Sequence, residues 1–150
     1  MNANFNGIAR IALCLAVIAL ALPACASAEG RLNADVPFAF TVGQHQLPAG
    51  HYTLTVDYIN YMVRLSNEDT GTAMFFTTNR KETVKVNERG SLRFNRYGAE
   101  NFLSQIWLGG GVVGCEVNTS RREKELRAST GQRNVVTVGT ATPKTKNKPM

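Results

Sequence analysis

The chain has 150 residues, of which 43% are hydrophobic, 8% aromatic and 19% charged. That balance suits one ordinary globular domain and excludes a coiled coil or a chain disordered throughout. The formal net charge of +6 comes mainly from the C-terminal stretch. A nucleic-acid module, whose footprint is a basic face on a fold, is therefore not expected.

Arg10 is followed by the uncharged apolar run from Ile11 to Leu22. A bilayer-spanning helix needs about 20 such residues, whereas a secretory h-region needs about 7 to 15. Pro23 breaks the run, and Ala26-Ser27-Ala28 supplies a small-x-small cleavage pattern. These features predict a signal peptide over 1–28, cleavage after Ala28, and a periplasmic or secreted product. The alternative is a lipid anchor on Cys25, since Leu22-Pro23-Ala24-Cys25 has the lipoprotein spacing, although proline fits its second place poorly. Loss of Arg10 lowers the formal charge from +6 to +5.

Val36, Phe38, Phe40 and Val42 alternate with smaller or polar residues, as do Tyr52, Leu54, Val56 and Tyr58. A period of two marks strands with one buried face, and the turn residues from Gly43 to Gly50 predict that the two pair as an antiparallel hairpin. Tyr61 to Leu65, Thr72 to Thr78, Thr83 to Asn87, Ser91 to Tyr97 and Phe102 to Leu108 complete about seven short strands. The reversals lie at Asn60, at Ser66 to Gly71, at Glu88-Arg89-Gly90 and at Gly98 to Asn101. Strands at this spacing, with no long helical pattern between them, predict an all-β fold, an antiparallel sandwich or small barrel.

One short C-terminal surface helix is expected from Arg121 to about Ser129, because Ser120-Arg121-Arg122-Glu123 forms a capping box. Glu123 and Arg127 are spaced to pair along it. The β-rich domain is thus placed at 29–129. From Thr130 to Met150 the chain is rich in Thr, Gly, Lys and Pro and reads as a basic disordered tail, with a weak strand at Asn134 to Val138. The cations Arg133, Lys144, Lys146 and Lys148 fit weak association of this tail with an anionic surface.

Five segments carry a family resemblance: Val36-Pro37-Phe38-Ala39-Phe40, Pro48-Ala49-Gly50-His51-Tyr52, Phe94-Asn95-Arg96-Tyr97-Gly98, Phe102-Leu103 and Ser120-Arg121-Arg122-Glu123-Lys124-Glu125-Leu126. In that order they resemble an uncharacterised family of short exported β-rich proteins common in acidobacteria, over about residues 35 to 128. The resemblance implies export and a β-rich fold, and brings no catalytic residue with it. The Gly-rich stretch after Trp107 and the basic tail depart from the family pattern.

No motif supplies a catalytic constellation or a cofactor site. Gly109-Gly110-Gly111-Val112-Val113-Gly114 satisfies GxGxxG, but no helix opens after it and no βαβ unit surrounds it, so it reads as a flexible connection. His45, His51 and Cys115 are too few for a confident zinc site, although the two histidines flank one turn and are placed to face each other. No serine lies in a GxSxG elbow. The acids Asp57, Glu68, Asp69, Glu82, Glu88 and Glu100 read as surface charges.

Four residues stand out as structural or partner-contact candidates. Arg96 falls by alternation on the apolar face with Leu92 and Phe94, so its guanidinium needs a partner, with Glu100 within reach across the turn. Tyr97 and Trp107 belong to an aromatic group with Phe102, Trp107 and Phe102 falling on opposite faces by parity. Cys115 has no intramolecular partner after processing, and is expected as a shielded thiol or an intermolecular bridge, with Arg121 and Arg122 near enough to favour its thiolate. These features together predict an exported, non-enzymatic binding or structural module of the cell envelope, its partner an unknown envelope component. The alternative is a small envelope hydrolase using carboxylates at strand ends.

Overall fold

The computed structural model describes residues 29–141; the expected signal peptide, the Cys25 lipid site and the tail beyond 141 lie outside them. The elements run β1 (Glu29–Val36), β2 (Phe40–Val42), β3 (His45–Leu47), β4 (Gly50–Asp57), β5 (Met62–Asn67), β6 (Ala73–Asn87), β7 (Ser91–Tyr97), β8 (Glu100–Trp107), β9 (Gly111–Val117), α1 (Arg121–Thr130) and β10 (Asn134–Gly139). Among the described residues the fold is all-β with one short helix, as expected, and it has ten strands rather than about seven.

The strand order is β1-β4-β5-β6-β9-β8, after which the sheet forks, with β7 and then β10 on one branch and β2 and then β3 on the other. Pairing is antiparallel except at Thr41 and Phe102, where β2 meets β8 in parallel. The side chains pointing inward from every part of this sheet meet in one core. Leu32, Ala34 and Val36 enter it from β1, Leu54 and Val56 from β4, Val63 and Leu65 from β5, Leu92 and Phe94 from β7, Leu103 and Ile106 from β8, and Cys115 and Val117 from β9. Val136 and Val138 of β10 pack against the same cluster. The sheet thus curls on itself, and its far ends touch. Asn33 N–H donates to the Ala141 carbonyl at 3.1 Å, and Ala141 N–H returns a bond to the Asn33 carbonyl at 2.9 Å.

Several sequence expectations give way to non-local pairing. Val36 to Val42 is not one strand hairpinned to β4. The strand antiparallel to β4 is β1, with Val36 opposite Gly50 and Glu29 opposite Asp57, while β2 turns away to pair with β3. The segments 72–78 and 83–87 are both parts of one strand, β6, whose first half pairs with β5 and whose second half pairs with β9. The weak strand expected at Asn134 to Val138 is present as β10 and joins the sheet instead of lying in a tail: Asn134 to Gly139 pairs residue for residue with Arg96 to Ser91.

The Gly-rich stretch is a strand, not a flexible connection, and Trp107 gives the reason. Gly114 lies opposite Trp107 across the β8–β9 ladder. A Cβ at Gly114 would sit 2.6 Å from Trp107 Cε3 and 2.7 Å from the Ile106 carbonyl oxygen. Glycine there lets the indole lie flat on β9, and Trp107 is only 2% exposed.

A bulge in the neighbouring ladder resets the alternation of β8. Arg93 pairs with Gln105 but Phe94 pairs with Leu103, leaving Ser104 as the extra residue, its hydroxyl bonded to the Arg93 carbonyl at 2.9 Å. One added residue flips the parity of everything before it. Leu103 therefore shares the core face with Ile106, and Phe102 and Trp107 share the other face instead of opposing each other.

Candidate functional site

The five segments that carry the resemblance come together as ties of the fold. Arg96 Nε donates to Asn101 Oδ1 at 2.7 Å, and its guanidinium lies 5.3 Å from the ring centre of Phe38. Asn101 Nδ2 in turn donates to the Ala39 carbonyl at 3.0 Å. The partner of Arg96 is thus Asn101 and the Phe38 ring rather than Glu100. The effect is to pin the Val36 to Phe40 segment onto the β7–β8 turn.

The aromatic rings continue this tie across the core. Phe38 meets Phe94 edge-on with centroids 5.2 Å apart, Phe94 meets Phe40 at 5.3 Å, and Phe40 meets Tyr52 at 5.2 Å. Such pairs add about 0.5–1.5 kcal/mol each beyond their area. The Tyr52 hydroxyl donates to the Pro48 carbonyl at 2.6 Å, closing the Pro48 to Tyr52 turn.

The helix joins through its charged face. Ser120 accepts from Glu123 N–H at 3.1 Å, as the capping motif predicts. The Glu123 side chain does not complete the box. It is buried and accepts from Asn95 Nδ2 at 2.7 Å. Arg122 pairs with Glu100 at 2.6 Å and Arg121 with Glu125 at 3.0 Å, so the expected Glu123–Arg127 pair is replaced by two others. The Arg122 guanidinium holds the Glu100 carboxyl below its ordinary pKa.

Tyr97 and Trp107 are 3% and 2% exposed, so neither offers an aromatic surface to a partner. Tyr97 packs edge-on against Phe102 at 6.1 Å. Trp107 lies under the Arg93 guanidinium at 5.5 Å and donates from Nε1 to Gln105 at 3.0 Å. Cys115 is fully buried in the core, and burial pushes its thiol pKa up. Arg121 and Arg122 point their charges at Glu125 and Glu100, so the expected thiolate and intermolecular bridge both fail on geometry.

His45 and His51 do not face each other. His51 Nδ1 lies 3.0 Å from Asp69 Oδ1 and Nε2 lies 3.4 Å from Asp35 Oδ1. Its backbone N–H also donates to Asp69 Oδ2 at 2.9 Å. The hydrogen bond and charge of Asp69, helped by Asp35, raise the His51 pKa, and the His51 backbone N–H, followed by its ring hydrogen bond, lowers that of Asp69. The site resembles a carboxylate–histidine dyad, but Asp35 occupies the nitrogen a nucleophile would need. Among the described residues no three His, Cys, Asp or Glu side chains are grouped to hold a metal ion.

The concave feature nearest this cluster is a cleft of about 320 Å³ at one end of the core. Tyr52, Leu65 and Met74 line it from β4, β5 and β6, and Leu47 and Pro48 close it from the β3 side. His45, Gln46, Asn67 and Thr72 supply its polar groups. Asn67 is buried and already engaged: its Oδ1 accepts from Asp69 N–H and Thr70 N–H, each at 2.9 Å, and so shapes the turn at the cleft rim. The cleft lining contains no carboxylate. Sequence reasoning noted His45 and Tyr52 for other reasons and missed the cleft, because its walls come from four separate elements.

Comparison with family models, with characterised proteins and with solved structures returns no match to this chain.

Proposed function

We propose that the protein is an exported, non-catalytic binding module of the cell envelope whose ligand enters the cleft between β3 and the β5–β6 turn. The observation that carries this reading is the cleft itself, with an apolar floor of Tyr52, Leu65 and Met74 and a rim of neutral or weakly basic groups. Largely apolar concavities of about 300 Å³ and upward with a few polar groups are the usual form of a ligand site. The chemistry suits a ligand with an apolar portion and hydrogen-bonding groups at its edge.

Export rests on the composition of residues 1–28 and on the family resemblance, and cleavage after Ala28 would leave Glu29, the first residue of β1, at the new terminus. A carboxylate hydrolase is the weaker reading. It needs an acid whose pKa is raised, whereas Asp57, Asp69 and Glu100 are all lowered by hydrogen bonds or a neighbouring cation.

The test is retention of envelope extract on immobilised protein and on an Ala73→Trp variant, whose indole would fill the cleft from an exposed rim position. Material held by the parent and lost from a variant of equal melting temperature supports the proposal. Equal retention by both, or none by either, overturns it.

A further inference from the structure

Between Glu82 and Asn87 strand β6 leaves its ladder. Glu82 still pairs with Val113 and Asn87 with Gly111, so the residues from Thr83 to Val86 bulge out opposite Val112 alone. Val84 is fully exposed at 105% and Val86 is 53% exposed. The Lys85 N–H finds the Thr83 hydroxyl at 3.4 Å rather than a partner strand. A β-branched apolar side chain held wholly in water, on an excursion that buries nothing, gains nothing for the fold.

Cations surround it. Lys85, Arg89 and Arg93 border one open depression of about 650 Å³ with Thr83, Val86, Asn87 and Glu88. Glu88 is its single acid, and Lys85 and Arg89 take part in no ion pair among the described residues, while the Arg93 guanidinium is held by Trp107 and Gln105. Earlier in the same strand Arg80 pairs with Glu82, and Lys81 with Glu116.

We propose that this excursion is a docking surface for an anionic lipid bilayer, with Lys85 and Arg89 meeting lipid phosphates and Val84 and Val86 entering the headgroup boundary. Exposed valines next to two unpaired cations match such an interface on both counts: apolar burial and charge attraction each add to binding, and neither alone anchors firmly. A soluble polyanion would use the cations but leave Val84 in water, which is why the bilayer is the occupant the geometry favours. The surface shares no lining residue with the cleft.

The experiment measures partition of the full mature chain onto vesicles of phosphatidylglycerol and phosphatidylcholine, beside Val84→Asp, Lys85→Glu and Arg89→Glu. All three positions are exposed, so melting temperature checks that the variants fold. The expected result is binding to the anionic vesicles only, weakened about fivefold or more by each charge reversal and about tenfold by Val84→Asp. Three results overturn the proposal: no binding to anionic vesicles, binding that none of the variants weakens, or binding lost with the charge reversals but unaffected by Val84→Asp. The last would assign the surface to a soluble polyanion.

Discussion

Arg96 reaches Asn101 across the β7–β8 turn with a 2.7 Å bond from Nε, while its guanidinium covers the Phe38 ring. A cation on the apolar side of a strand is thereby tied both to the next strand and to the Phe38 segment distant in sequence. Its removal leaves the buried Asn101 oxygen without a donor. Arg96→Met is expected to lose about 1–3 kcal/mol of unfolding free energy, read by chemical denaturation. Unchanged stability would remove the structural role.

Gly114→Ala places a methyl group against both the Trp107 ring and the Ile106 carbonyl. Overpacking of this kind costs about 1–3 kcal/mol, and displacement of the indole should shift the emission of the chain's single tryptophan to the red. Gly139→Ala is the control, since a Cβ there meets nothing within 4 Å. Similar losses in both variants would contradict the account of β9.

Truncation after Ser129 removes β10, its ladder with β7 and the Val136 and Val138 contacts with the core. The shortened chain should lose about 3 kcal/mol or more or fail to fold. Truncation after Ala141 keeps β10 and the bridge to Asn33, and should melt as one cooperative transition. Equal melting of the two truncations would place β10 outside the folding unit.

His51 and Asp69 set opposite limits on stability with pH. His51 has a raised pKa in the fold, so its contribution is complete below its unfolded value of about 6.5 and is lost as pH rises through the folded value. Asp69, Asp57 and Glu100 have lowered values, so theirs is complete above the unfolded range of about 4 and is lost as pH falls further. Melting temperature should therefore peak in mild acid, between about pH 5 and 6.5. His51→Gln should flatten the alkaline side of that curve and leave the acid side in place. An unaltered alkaline slope in the variant would separate His51 from the pH dependence.

Much of the fold is legible in local pattern, and the failures share a cause. β4, β7 and β10 lie where alternation of apolar residues puts them, and Ser120 caps α1 as its motif predicts. β1 escapes notice because Glu29, Gly30, Arg31 and Asn33 dilute its alternation, yet it pairs with β4 along its whole length. β9 is hidden by its glycines, of which Gly114 admits Trp107. The Ser104 bulge leaves no mark in sequence, so the faces of Phe102 and Leu103 are reversed. The cleft is less legible still, because only the three-dimensional sheet order brings Leu47, Tyr52, Leu65 and Met74 to one place.

The motif residues are spent on holding the chain together, and the Asn95–Glu123 bond joins two of those motifs directly. A double-mutant cycle on Asn95→Ala and Glu123→Ala, followed by chemical denaturation, isolates their coupling. The expected coupling energy is about 1.5–3 kcal/mol, the range for a hydrogen bond to a charged group. Additive losses, with no coupling between the two positions, would contradict it.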